Sequence, residues 1–181
     1  MLEVERKILG INKARLISQI KKLSPKAKKV FEGLIRVRYF DFPDARIKTK
    51  KDLLRVREFL QKGPAKAAYR SLEGSMKKPK TELVYKIYKG VKNNNKVFEE
   101  IEIEIPGLHH DETLTKIFEA MGLKQTVMYE KKRTLYTWGK VSFEIDEHPH
   151  IPVFLEIEGA PQEIEKAIKK LDLQNHEQTA E

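Results

Sequence analysis

The sequence predicts an α+β fold: an eight-stranded antiparallel closed β-barrel with a charged interior and helices packed outside. Three observations predict it. Eight segments alternate apolar with polar residues at the period of two that a strand imposes. Only three segments carry the spacing of an amphipathic helix. On strand after strand the polar face bears charges of both signs, opposite a face of Ile, Leu, Val or Phe.

The elements follow in order. Residues 2–9 alternate as a strand, and residues 13–23 place Leu16, Ile17, Ile20 and Leu23 at helical spacing behind a capping Asn12. Residues 28–42 read as a long strand, bounded by Ser24-Pro25 and by Phe42-Pro43-Asp44. Residues 53–61 form a strand, and 63–80, with Gly63-Pro64, Gly74 and a lysine-rich end, reads as a loop. Residues 82–89 and 97–105 form a hairpin about the asparagine-rich turn at 92–96. Residues 111–121 read as a helix capped by Asp111 and stopped by Gly122. A second hairpin pairs 126–137 with 140–146 around Gly139, and 152–158 is the last strand. Residues 161–171 form a helix that starts at Pro161. The expected organisation is one domain over residues 1–173 with a disordered polar tail at 174–181.

The alternation sorts the charges onto faces. Glu3, Glu5 and Lys7 share one face, and Arg55 and Arg57 share another. Lys86 lies opposite Tyr85 and Ile87, and Glu100, Glu102 and Glu104 lie opposite Ile101, Ile103 and Ile105. Lys131 and Arg133 share a face, as do Ser142, Glu144 and Asp146, and Glu156 with Glu158. For a single strand the plain reading is a solvated outer face. The helices, however, need an apolar surface to pack on. If they cover the outside, the charged faces turn inward, and charge held there is costly without partners, ligand or metal.

Composition narrows the chemistry. The chain has no cysteine, which removes disulfides, thiolate metal sites and cysteine nucleophiles. No apolar stretch approaches the roughly 18 residues of a membrane helix, and the N-terminus lacks the apolar core of a signal peptide, so a cytoplasmic protein without membrane contact is expected. The net charge of +9 is uneven: residues 1–98 hold 27 Lys and Arg against 9 Asp and Glu, and residues 99–181 hold 9 against 18. Basic chains meet polyanions, while a phosphate–metal site needs both signs. There is no glycine-rich P-loop pattern, so phosphate would be bound by side chains. His109, His110, His148 and His150 fall in turns without a compact ligand set and read as surface residues rather than a zinc site. The lysine triplets 26/28/29, 48/50/51 and 77/78/80 read as solvated.

Glu3-Val4-Glu5-Arg6-Lys7 resembles the N-terminal E-x-E-x-K signature of the CYTH superfamily, the triphosphate tunnel metalloenzymes. The resemblance continues in order along nearly the whole chain. Tyr39-Phe40-Asp41 with Pro43-Asp44 resembles the YFDTPD segment, and Arg55-Val56-Arg57-Glu58 the R-x-R-E strand. Lys86 stands at the strand lysine, and Glu100 and Glu102 at the central E-x-E pair. Lys131-Lys132-Arg133 with Tyr136 resembles K-x-R-x-x-Y, and Asp146 with Glu156-Ile157-Glu158 the closing aspartate and E-I-E strand. The chain departs at Val37, where many members carry a polar residue, and in the longer segment 62–80.

The resemblance implies a barrel that forms a triphosphate tunnel and a divalent-metal-dependent enzyme. Its partner would be a triphosphate-containing small molecule. Lys7, Arg55, Arg57, Lys86, Lys131 and Arg133 would bind the triphosphate, arginine by paired hydrogen bonds and lysine as a point charge. Glu3, Glu5, Glu156 and Glu158, with Glu100, Glu102 and Asp146, would serve as metal ligands, and carboxylates suit Mg²⁺ or Mn²⁺. Tyr39, Asp41 and Tyr136 are candidates for contact with a base or for the tunnel lining, although aromatic residues more often pack. The leading expectation is a phosphohydrolase acting on inorganic, nucleoside or thiamine triphosphate. The first alternative is a class IV adenylyl cyclase making cyclic AMP and pyrophosphate from ATP. The second is a non-catalytic module binding polyphosphate or RNA, with nucleic acid the lesser expectation. A monomer or a homodimer is expected.

Overall fold

The structure is a computed structural model that describes residues 2–24, 27–61, 80–107 and 109–180. Nine strands are described: β1 (Leu2–Ile8), β2 (Ala27–Asp41), β3 (Leu53–Gln61), β4 (Lys80–Lys92), β5 (Asn95–Pro106), β6 (Lys124–Trp138), β7 (Val141–His148), β8 (Ile151–Glu158) and β9 (Gln178–Thr179). Four helices accompany them: α1 (Lys13–Leu23), α2 (Arg46–Thr49), α3 (His110–Ala120) and α4 (Pro161–Lys170). Strand neighbours run β5-β4-β3-β2-β6-β7-β8-β1-β9, and β5 also pairs with β1, so eight strands form a ring of neighbours. The pairings β1–β8, β2–β3, β3–β4, β6–β7 and β7–β8 are all antiparallel.

The chain divides into two compact units, each with its own core. One comprises residues 33–88 and 99–131. Its core joins Phe40 of β2, Ile47 of α2, Leu54 and Val56 of β3, Phe118 of α3 and Leu123. The rings of Phe40 and Phe118 meet edge to face, with centroids 4.9 Å apart. The other unit comprises residues 2–32, 89–98 and 132–180. There Leu16 and Ile20 of α1, with Ile164, Ala167 and Ile168 of α4, pack on Ile8, Tyr136, Val141, Phe143, Ile145, Leu155 and Ile157. In both units the helices therefore cover the apolar positions of the strands. The charged positions occupy the opposite faces, because neighbouring residues on a strand point opposite ways.

Local chemistry explains most of the boundaries. The Asn12 carboxamide accepts the Arg15 N–H at 3.0 Å and caps α1, as expected. The β4–β5 hairpin turns on Asn93 and Asn94, both at positive φ (50° and 60°), the conformation a tight two-residue hairpin needs and asparagine tolerates. Gly139 lies at φ 61° between β6 and β7.

Four features differ from the sequence reading. First, α2 forms after Phe42-Pro43-Asp44, where no helix is expected. The Asp41 carboxylate holds it, accepting the N–H groups of Phe42, Ile47 and Lys48 at 2.7, 3.0 and 2.9 Å. Second, β4 starts at Lys80, which is buried rather than solvated. The remainder of the expected 63–80 loop lies outside the described residues. Third, α3 starts one residue before Asp111, which lies in its first turn. The Asp111 carboxylate instead accepts Arg38 Nε at 2.8 Å. Fourth, the C-terminal segment expected to fray contains β9, which pairs Thr179 with Lys7 and Gln178 with Ile8. The Leu9 N–H also donates to the Glu177 carbonyl at 2.9 Å.

On the helix-covered side of the first unit, Glu58 of the R-x-R-E strand is 1% exposed. It accepts the His109 N–H at 2.7 Å and faces Arg36 at 3.5 Å. Burial pushes its carboxyl above the ordinary range against the pull of the His109 N–H, and the neighbouring Asp111 carboxylate adds to the rise, which Arg36 only partly offsets.

Candidate functional site

In the unit of residues 33–88 and 99–131, β3, β4 and β5 carry a row of alternating charges. Arg57 sits opposite Glu82 in the β3–β4 register, and its Nη2 lies 2.7 Å from the Glu82 carboxylate and 3.7 Å from Glu102. Arg55 and Lys86 both approach Glu100, at 3.9 and 3.7 Å. Lys80 is held by Glu82 and Glu104. Burial alone would raise the Glu82 carboxyl, but Arg57 and Lys80 outweigh it and hold it below the ordinary range. Burial likewise opposes the Lys80 ammonium, yet Glu104 and Glu82 hold its pKa above the usual lysine value. Arg57 is 8% exposed, and its Nε has no hydrogen-bond partner among the described residues.

The same unit holds Tyr39, opposite Arg55 in the β2–β3 register. Its hydroxyl lies 3.4 Å from that of Tyr129, and the two rings stack with centroids 6.1 Å apart. Burial would raise the Tyr39 phenol, but the Arg55 guanidinium, the Tyr129 hydroxyl and Lys131 together bring it below its ordinary value. Lys131 is buried. Both oxygens of Asp41 serve the α2 backbone, as described above.

In the unit of residues 2–32, 89–98 and 132–180, the strand order β7–β8–β1 aligns a second charged face. Arg133 is 3% exposed, and three carboxylates grip it. Asp146 accepts its Nε and Nη2 at 2.7 and 2.5 Å, Glu144 takes Nη1, and Glu156 lies 3.4 Å from Nη2. Burial disfavours the cation, but Glu144, Asp146 and Glu156 overcome it and raise its pKa well above the usual value. Lys7 pairs with Glu156 at 3.7 Å. Glu3, Glu5 and Glu158 each offer a carboxylate oxygen, all within 4.8 Å of one another. Glu5 lies directly opposite Glu158 across β1 and β8, so strand register brings these two together. Three oxygen donors at this spacing match the hard-cation chemistry of Mg²⁺ or Mn²⁺. Of two further acidic groups, Glu82–Glu102–Glu104 already engages Lys80 and Arg57, and Glu144–Asp146–Glu156 surrounds Arg133.

Tyr136 is placed in the hydrophobic core of its unit. Arg6, inside the E-x-E-x-K motif, is also buried and has a structural role: it binds Asn95 at 2.9 Å, the Asn93 carbonyl at 2.8 Å, Gln178 at 3.1 Å and Glu165 at 2.6 Å. No histidine enters the acidic groups found among the described residues. The sequence reading passed over Lys80, Glu82 and Glu144 as site residues. Parity was the available signal: 80, 82 and 86 share one face, as do 142, 144 and 146.

A family model for the CYTH domain matches residues 1–180. The chain belongs to the CYTH family. Several solved structures share its fold. The PH1012 protein of Pyrococcus horikoshii is 24% identical, with 97% of this chain and 94% of that chain covered and a TM-score of 0.70. A conserved hypothetical protein of Pyrococcus furiosus is 24% identical over 97% of this chain and 94% of that chain, with a TM-score of 0.67. The Hippeastrum protein HpAC1, an adenylyl cyclase candidate described as revealing a dominant triphosphatase activity, is 15% identical over 95% and 88% of the two chains, with a TM-score of 0.63. At these identities the likeness establishes the fold. A search of curated proteins finds no significant match. Among the described residues, three acidic groups have the spacing to hold a metal ion. No described helix is long and apolar enough to cross a membrane.

Proposed function

We propose that this CYTH protein is a divalent-metal-dependent triphosphate hydrolase, and closure of its eight-strand ring into a tunnel-forming barrel is part of the same proposal. The carrying observation is Arg57. Its buried Nε meets no acceptor among the described residues, and a buried guanidinium nitrogen costs free energy unless an acceptor is supplied to it. Phosphate oxygens fit, because arginine meets them with parallel, charge-assisted hydrogen bonds. Its neighbours Arg55 and Lys86 hold their shared Glu100 at 3.7–3.9 Å, longer than a tight ion pair.

In this reading Arg55, Arg57 and Lys86 bind phosphate oxygens, with Lys7, Lys131 and Arg133 as further cations. Arg133 is the most constrained of the six, because Asp146 and Glu144 occupy its fork. Glu3, Glu5 and Glu158 hold the metal, which when bound neutralises phosphate charge and makes water a better nucleophile. Glu100 and Glu102 release their cations to the substrate. Glu156 keeps Lys7 and Arg133 oriented. Phosphoryl transfer needs little covalent chemistry from the protein, so positioning and charge stabilisation suffice. The dominant triphosphatase activity described for the Hippeastrum protein supports hydrolysis over cyclisation.

The test is phosphate release from inorganic triphosphate and ATP by wild type, Glu5→Gln and Glu158→Gln, with Mg²⁺ or Mn²⁺. Both variants are expected to lose metal-dependent turnover with unchanged circular dichroism. Full activity in both would overturn the metal assignment.

A further inference from the structure

We propose that Ser142 is a positioning residue that fixes Glu158 as a single-oxygen metal ligand and so favours small octahedral cations over Ca²⁺. This rests on reading Glu3, Glu5 and Glu158 as the metal-holding group. Ser142 of β7 stands directly opposite Glu158 of β8, which stands opposite Glu5 of β1. Its hydroxyl donates to Glu158 Oε2 at 3.1 Å. Register thus lines up a donor, a carboxylate and a second carboxylate on three adjacent strands.

The residue type at 142 follows from its surroundings. The next two positions on the same face of β7, Glu144 and Asp146, are carboxylates that grip Arg133. A third carboxylate at 142 would face Glu158 with like charge. A lysine would neutralise Glu158 and compete with a metal ion. A hydroxyl restrains the carboxylate without changing the charge of the group.

The restraint has a chemical consequence. With Oε2 engaged by the hydroxyl, Glu158 is disposed to offer one oxygen. Mg²⁺ and Mn²⁺ accept such single-oxygen carboxylates in compact octahedral sites, whereas Ca²⁺ takes more oxygens and readily uses both from one carboxylate. Hydrogen-bonding partners of metal ligands typically contribute about 10- to 100-fold to metal affinity.

The experiment titrates Mn²⁺ into the purified full chain without substrate, following the electron paramagnetic resonance signal of the free ion, and then competes with Ca²⁺. Wild type, Ser142→Ala, Ser142→Thr and Glu158→Gln are compared, with circular dichroism as the fold control. Ser142→Ala is expected to weaken Mn²⁺ binding about tenfold with little change for Ca²⁺. Ser142→Thr, which keeps the hydroxyl, is expected to restore the wild-type preference. Unchanged Mn²⁺ affinity in Ser142→Ala, alongside its loss in Glu158→Gln, overturns the role of Ser142 and leaves the metal site standing. An equal loss for both ions also overturns it, because a general disturbance would then suffice. Failure of wild type to bind Mn²⁺ overturns the metal reading itself.

Discussion

Replacing Arg133 with Met isolates the buried charge network of β6, β7 and β8. Methionine keeps much of the side-chain length and removes the cation. Asp146, fully buried, loses both hydrogen bonds to Arg133, and Glu144 and Glu156 lose the charge between them. Removing one partner of a buried ion pair costs about 3–5 kcal/mol, because the remaining charge stays desolvated. For a chain of this size each kcal/mol shifts the melting temperature by roughly 2–4 °C, so a fall of roughly 6–20 °C is expected. Differential scanning calorimetry at neutral pH measures it. Acidification should narrow the gap, since protonation removes the uncompensated charges. Adding Asp146→Asn to Arg133→Met should recover part of the loss. A fall below roughly 2 °C, the scale of an ordinary surface change, would refute the network as a source of stability.

Two further outcomes follow from the same geometry. Arg57→Ala should weaken binding of inorganic triphosphate roughly 10- to 100-fold in isothermal calorimetry at fixed salt, and unchanged affinity would remove Arg57 from the phosphate site. Glu58, whose carboxyl is raised in the folded protein, binds its proton more tightly when folded than when unfolded. Its stabilising contribution is therefore fully present below the unfolded pKa and is lost as pH rises through the folded value. In urea titrations wild type should gain stability relative to Glu58→Gln as pH falls from neutral toward the ordinary carboxylate range, and a constant or reversed gap would contradict the assignment.

How much of this was legible beforehand depended on periodicity. Alternation with Val, Leu or Ile places Glu5 and Glu158, far apart in sequence, on the charged faces of their strands, and the resemblance of their E-x-E-x-K and E-I-E motifs to the CYTH pattern marks them as ligand candidates. Their direct opposition needed the β1–β8 register, which alternation alone does not set. Arg57 was readable as a phosphate cation, but Glu82 beside it was not singled out, since its ion pair comes from strand pairing. At Lys80 the lysine-rich local composition reads as a loop and masks the strand parity it shares with Glu82 and Lys86. The short helix α2 and strand β9 were missed for the same physical reason. Each is too short to show a period, and each is held by contacts local sequence does not display: the Asp41 carboxylate for one, the edge of β1 for the other. Arg133 shows the limit of residue type as a guide. Its sequence suits phosphate binding, while its surroundings already supply three carboxylates.

The most direct test of the central claim is phosphorus NMR of ATP turnover by the purified chain with Mg²⁺. Growth of ADP and inorganic phosphate signals, abolished by a metal chelator and absent in Glu158→Gln, is the predicted result. Growth of cyclic AMP with pyrophosphate would contradict hydrolysis and make the protein a cyclase. An unchanged ATP spectrum, repeated with inorganic triphosphate as substrate, would contradict catalysis altogether.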